Sequence, residues 1–303
     1  MSHFQFNNGT INALPVNILP GVRAAGITAY YGLNEAASTM YLWHGGTIEI
    51  LTGTSGNAQS TGSITVAPGI QNFTLDANRN FGYATAAGST MLYIVDVNAK
   101  TVSKTVDFGQ GAIPNAVAVS QDLNSGSTIV YVVDSVGSYH TVNPTTGTFT
   151  TVGFTTKGVD SGIPAVTPDG SQLWIPYPTG AIVIFDAQSN SFVADSLNVA
   201  YPTQIVFSLD GASAFVLNSP PSGQGSIYSI NTQTLQTNWH QNVGTKPTGL
   251  SLSPFGSFLL VANSGDGTIS QIAAADGTQL SLTDVGMTPV GVVAFNQLGQ
   301  PVI

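Results

Sequence analysis

Two patterns fill this chain: apolar and polar positions that alternate, and runs of about four to six apolar residues. Each stretch is stopped by Gly, Pro, Asn or Asp. Helical periodicity is nowhere sustained for about three turns, so the expectation is an all-β protein. Residues 202–244 contain the clearest unit, four strand-like segments reading PTQIVFSLDG, ASAFVLNS, SIYSINTQT and LQTNWHQNVG. Leu209-Asp210-Gly211 closes the first segment, with Gly211 free to take the positive φ that tight turns need. Asn231-Thr232-Gln233-Thr234 joins the third to the fourth as a polar hairpin turn. Four short antiparallel strands in this length form one blade of a propeller.

The unit recurs in kind as well as in spacing. PTGLSLSPFG at 247–256 repeats the opening, followed by strand-like 258–263, 267–272 and 279–286. Equivalent starts fall at Arg23, Ile70, Pro114, Ser161, Pro202, Pro247 and Pro289, in steps of 47, 44, 47, 41, 45 and 42 residues. Seven starts predict a seven-bladed β-propeller with four antiparallel strands per blade, a single domain over residues 1–303. After Pro289 there is room for only two strands, 290–295 and 300–303, and before Arg23 for two more, 2–6 and 10–17. The expected closure therefore has N-terminal outer strands and C-terminal inner strands sharing one blade, which leaves the ring without an open seam.

The openings, with Pro followed by small and apolar residues, Ser and Gly, and then LLVANSGDGTISQI at 259–272, resemble the YVTN-type β-propeller repeat. Residues 247–272 are the nearest copy, with 202–218 and 114–134 next; the blades begun at Arg23 and Ile70 are degenerate. That resemblance implies a seven-bladed propeller of a kind often found on surface or secreted proteins, and no particular chemistry. Related seven-bladed families include lactonases and streptogramin lyases, and no residue set here selects either.

Charge changes the picture more than hydrophobicity does. Only 7% of residues are charged, against roughly 25% in an ordinary soluble domain. Solubility must rest on Ser, Thr, Asn, Gln and Gly, a surface that suits an extracellular or cell-surface protein. Net charge is −9 and Lys plus Arg number 6, which argues against a nucleic-acid partner, since phosphate binding needs clustered cations. With so few cations, few carboxylates can sit in ion pairs, and the expected loss of stability on acidification is small. Cysteine is absent, which removes disulfides and thiolate chemistry. The N-terminus shows neither a basic start nor an apolar run, and no stretch approaches the 18 or so apolar residues of a membrane span.

A propeller's default site is its central funnel, reached by loops entering first strands and loops joining second to third strands. The first set contributes Arg23, Asn72, Asn115, Asp160, Tyr201 and Lys246; the second contributes His44, Asp134, Tyr177, Asn218 and Asn263. Arg23, His44, Asn115, Asp134, Asp160, Tyr177, Tyr201, Asn218, Lys246 and Asn263 are the candidate ligand-binding residues. Asp134 and Asp160 are the only carboxylates near the funnel outside repeated turn positions. Asp96, Asp169, Asp186 and Asp210 recur at equivalent places and read as turn caps. The four histidines, His3, His44, His140 and His240, are spread over four blades, with only His44 on the funnel face, so no metal site and no cofactor are assigned. Trp43 and Trp174 fall in second strands and read as packing between blades, while Tyr177 and Tyr201 could form a small aromatic platform. No catalytic residue is assigned. The expected partner is a polar small molecule, a glycan or a protein, with the chain monomeric or assembled through its repeats.

Overall fold

Runs such as TIVYVVD, QLWIPY and SAFVLN are too apolar to show one face to water, and each becomes the second strand of a four-stranded sheet. The protein is described here by a computed structural model, which covers residues 3–7, 10–14, 26–30, 38–53, 59–76, 78, 80–121, 126–154, 160–195, 197–286, 288–289 and 291–292. β1 (His3–Asn7) and β2 (Thr10–Leu14) pair as a two-stranded sheet. Blade one holds β3 (Gly26–Tyr30), β4 (Ser38–His44), β5 (Thr47–Gly53) and β6 (Gln59–Thr65). Blade two holds β7 (Ile70–Leu75), β8 (Phe81–Ala86), β9 (Met91–Asp96) and β10 (Thr101–Asp107). Blade three holds β11 (Pro114–Gln121), β12 (Thr128–Asp134), β13 (Ser138–Val142) and β14 (Phe149–Gly153). Blade four holds β15 (Ala165–Val166), β16 (Gln172–Tyr177), β17 (Ala181–Asp186) and β18 (Phe192–Ala194). Blade five holds β19 (Pro202–Phe207), β20 (Ser213–Asn218), β21 (Gln224–Asn231) and β22 (Thr237–Thr245). Blade six holds β23 (Pro247–Leu252), β24 (Phe258–Asn263), β25 (Thr268–Ala273) and β26 (Gln279–Asp284).

Every sheet is an antiparallel meander, and the first strands β3, β7, β11, β15, β19 and β23 lie each beside the next. This is a propeller. Seven four-stranded blades were expected, and six are found among the described residues. The N-terminal half of the shared blade forms as β1–β2, with β2 beside β26. Of its expected partners at 290–295 and 300–303, only 291–292 fall within the described residues. That short piece follows the inner strand of blade six: Thr248 Oγ1 donates to Pro289 O (3.0 Å), and a Cβ on Gly249 would meet Gly291 Cα at 2.9 Å. Two further boundaries shift. The blade-one start at Arg23 gives way to a first strand at Gly26–Tyr30, and the inner strand begun at Ser161 shrinks to Ala165–Val166, with Ile163 bridging in parallel to Gln204 of blade five.

The core sits between sheets. Tyr131, Val133 and Tyr139 of blade three pack on Leu173, Ile175 and Phe185 of blade four, and Phe215, Leu217 and Ile227 of blade five on Leu250, Leu259 and Val261 of blade six. Trp43 meets Phe73 of the next blade edge-on at 6.0 Å and Trp174 meets Phe207 at 5.6 Å, as inter-blade packing requires. Fourth strands are wet and alternate, as in TVSKTVD and QLSLTD.

Polar clasps join successive first strands. In β7, β11, β19 and β23 a bulge falls at the second residue, Gln71, Asn115, Thr203 and Thr248, and re-aims the side chains there. Asn72 Oδ1 accepts the Val117 N–H (3.3 Å), and Gln204 bonds Leu250 twice, accepting its N–H (2.9 Å) and donating to its carbonyl (2.8 Å). Replacing Gln204 by Ala leaves both backbone groups of Leu250 unpaired on that side, at about 1–3 kcal/mol. Urea titration of Gln204→Ala should show a lower midpoint with an unchanged slope; an unchanged midpoint would show that the clasp holds nothing.

Candidate functional site

His44, Ala86, Asp134, Tyr177, Asn218 and Asn263 end the six second strands, and in blades two, three, five and six the strand register sets this position opposite the start of the first strand. In blades three, five and six a polar side chain here reaches the segment that leads into its own blade, which for blade six is the end of β22. Asp134 Oδ2 accepts the Ile113 N–H (3.0 Å), Asn218 Oδ1 accepts that of Tyr201 (2.9 Å), and Asn263 Oδ1 accepts that of Gly244 (3.1 Å). Each then reaches back to the second-to-third turn or the third strand. Asp134 Oδ1 accepts the Val136 N–H (2.9 Å), Asn218 Nδ2 donates to Ser226 Oγ (3.0 Å), and Asn263 Nδ2 donates to Ser270 Oγ (2.9 Å). These three staple the funnel loops together.

Four of the ten candidates, Asn115, Asp134, Asp160 and Tyr177, come together where blades three and four meet. Asp134 is 1% exposed. Its neighbour Ser135 bonds through its hydroxyl to the exposed carboxylate of Asp160. Asn115, also buried, donates through Nδ2 to Ser161 O (3.0 Å) and Ser161 Oγ (3.3 Å), and its carbonyl accepts the Thr85 hydroxyl (3.0 Å). Tyr177 occupies the staple position of blade four, but its hydroxyl is buried and has no hydrogen-bond partner. Burial first, and then the charge of Asp134, push that phenol well above its ordinary range, so it stays neutral.

The other candidates stay apart. His44 lies in blade one with Nε2 3.8 Å from Glu49 Oε1. Asn218 and Asn263 serve blades five and six. Tyr201 is 39% exposed, and Lys246 is exposed on a left-handed residue (φ 46°) whose carbonyl accepts Ser264 N–H and Oγ–H. Arg23 lies outside the described residues. The expected Tyr177–Tyr201 platform does not form at the surface, because Tyr177 is buried against Phe154.

His140 is the partner that sequence reasoning left in a strand. Its Nε2 lies 3.4 Å from Asp134 Oδ2 and its Nδ1 3.0 Å from Thr151 Oγ1, while its ring stacks on Phe108 at 4.0 Å. The carboxylate selects the Nε2–H tautomer, in which Nδ1 accepts the Thr151 hydroxyl proton. Burial lowers His140 below its ordinary value of 6.5, opposed by the hydrogen bond and charge of Asp134. His240, by contrast, is exposed and leans on Tyr228. No signal in the sequence singled out Ser135 or Thr151, because hydroxyl residues are everywhere in this chain. Among the described residues no three His, Cys, Asp or Glu side chains converge as a metal site. What the cluster can do is hold two loops rigidly, with Asp160 exposed at their edge.

Two outcomes follow. Tyr177→Phe removes an unpartnered hydroxyl and should melt at the same temperature or higher, whereas Asp134→Ala strands two backbone donors and should cost roughly 2 kcal/mol or more. The reverse order in paired melting curves would contradict these assignments.

Acid stability has a different source from the ion pairs weighed above. Among the described residues no Lys or Arg pairs with a carboxylate, yet Asp107, Asp169, Asp186, Asp210 and Asp276 are all lowered from 3.8. For Asp107, Asp169 and Asp210 the largest cause is a Thr or Ser side-chain hydrogen bond; for Asp186 and Asp276 it is the backbone N–H of Ser189 and Thr278. Their contribution is complete above 3.8 and is lost as pH falls through the lowered native values. His140 is held neutral, so its contribution is complete above 6.5 and falls as pH drops below it. Melting temperature should be flat above pH 6.5, decline slightly below it, and fall further under pH 3.8 with little salt dependence. His140→Gln should abolish only the upper decline, and a steeply salt-dependent acid transition would sink the account.

No protein-family model matches the chain, and no curated protein matches it by sequence. A solved structure of hydrazine synthase from Kuenenia stuttgartiensis is similar in fold, with a TM-score of 0.66 over 84% of this chain and 86% of that one, at 14% identity. At that identity the likeness is one of fold alone, and 1658 solved chains match the fold, too many for it to select a chemistry.

Proposed function

We propose that the chain is a single seven-bladed propeller of the YVTN-repeat type that works outside the cell or at its surface. It acts there as a binding or structural module, with a polar small molecule, glycan or protein partner meeting the funnel face. The observation that carries this reading is the stapling of successive loops by Asp134, Asn218 and Asn263, which uses the buried polar side chains for rigidity and leaves Asp160, Tyr201 and Lys246 exposed. A preorganised rim of few exposed polar groups suits recognition, since little ordering remains to be done on binding. The passage of Pro289 and Gly291 along β23 supports a seventh inner strand, and the 7% charged composition supports the extracellular setting.

The competing reading, a propeller enzyme of lactonase or lyase type, draws on the Thr151–His140–Asp134 chain. It is weaker because both imidazole nitrogens are engaged and the ring is stacked on Phe108 and edged by Phe149. A glycan array and a lactone panel separate the two. Binding is expected without turnover, and the double variant Asp160→Ala, Lys246→Ala should lose about ten-fold or more in affinity with its melting temperature unchanged. Full affinity in that variant would move the site off the funnel rim, and lactone turnover abolished by Asp134→Asn would establish the enzyme.

A further inference from the structure

The face opposite the funnel rim is made of the turns that join first to second strands, near the ring axis, and third to fourth strands, at the periphery. In four blades the two turns are bonded to each other. Val97 N–H donates to Asn80 O (3.0 Å), Ala187 to Ser171 O (2.8 Å), Thr232 to Ala212 O (3.1 Å) and Ala274 to Ser257 O (3.0 Å). Each of these four blades therefore offers one rigid ledge. In blades four to six the inner turn passes through a left-handed glycine, Gly170, Gly211 or Gly256, at φ 70°, 71° and 74°.

These three inner turns touch. A Cβ on Gly211 would meet Pro168 Cδ at 3.4 Å, and one on Gly256 would meet Leu209 Cδ1 at 3.3 Å. Pro168, Leu209, Pro254 and Phe255 are all exposed, Leu209 at 60% and Phe255 at 54%, so an apolar ridge crosses three blades. Phe255 stands where blades four and five carry Asp169 and Asp210. Around the ridge the same face holds Asp76, Asp96, Asp169, Asp186, Asp210 and Asp276, against two cations among the described residues there, Lys100 and Lys104, the latter bonded to Thr145 O (2.5 Å) in the outer turn of blade three. The Lys100 ammonium is already bonded to Thr61 O (2.7 Å). These turn aspartates accept hydrogen bonds from uncharged donors, for example Ser171 to Asp169 and Ser208 to Asp210, which leave their negative charge in place.

We infer that this face docks an apolar, basic segment of another protein, its apolar side chains along Pro168, Leu209 and Phe255 and its Lys or Arg groups over Asp169 and Asp210. Charge complementarity selects that occupant over a second copy of the chain, because two such faces would oppose carboxylates with almost no cations between them. The surface is separate from the funnel rim, and it stands or falls independently of the function proposed for that rim.

Fluorescence anisotropy with the full chain and a labelled peptide of alternating Leu and Lys tests this. The peptide should bind, and its Leu/Glu counterpart should not. Leu209→Ser with Phe255→Ser, and separately Asp169→Asn with Asp210→Asn, should each weaken binding by about ten-fold, the scale of one lost anchor. Asn keeps the turn-capping oxygen, so the second pair should retain the fold, checked by thermal melts. Asp160→Ala with Lys246→Ala, on the opposite face, should bind as the parent does. Equal binding of both peptides, or insensitivity to both bottom-face pairs, would overturn the inference. Self-association of the parent that the Leu209→Ser, Phe255→Ser variant abolishes would overturn it in favour of a second copy.

Discussion

Apolar burial on both faces of each sheet is the constraint from which the architecture follows. A four-stranded sheet such as blade five has second-strand residues Ala214, Phe215, Val216 and Leu217 all buried, alternately towards blade four and blade six. No single sheet can satisfy that alone. Each must be covered twice, and repeated identical covering around an axis produces a ring with its core divided into layers between blades. Stability is then approximately a sum over interfaces, and the polar clasps of Asn72, Asn115 and Gln204 add register to layers that hydrophobic burial alone would leave free to slide.

Scarcity of charge shapes everything outside those layers. With 6 cations in 303 residues, turns and loop junctions cannot be fixed by ion pairs and are fixed by Asn, Asp, Ser and Thr bonding to backbone instead. Asn143, Asp186 and Asn231 each accept two successive backbone N–H groups at the third-to-fourth turn. Asp134, Asn218 and Asn263 perform the related task on the opposite face. The carboxylates kept for turns are held below the ordinary carboxylate value because neutral donors bond their ionised form.

The two faces consequently differ in kind. On the funnel side Asp134, Asn218 and Asn263 are consumed in stapling, and Asp160, Tyr201 and Lys246 are among the side chains left exposed. On the other side, Asx turns and left-handed glycines lift an apolar ridge out of a field of aspartates. Both arise from the same repeat, read in its odd and even turns.

Period and turn chemistry were legible in the chain by itself. Alternation and apolar runs marked the strands, and the starts at Ile70, Pro114, Pro202 and Pro247 coincide with the first residues of β7, β11, β19 and β23. Asp96 and Asp186 were readable as turn caps because recurrence at a fixed repeat position is itself a structural signal. The burial of Tyr177 and Asp134, the His140–Thr151 pairing and the contact of Leu209 with Gly256 were not readable. Each joins residues on different strands or blades, so each depends on register and inter-blade distance, which a one-dimensional period does not contain. The sequence determined what repeats; the closing of sheets against one another decided which copies of a repeated position were left exposed, because burial belongs to the pair of surfaces and to neither strand alone.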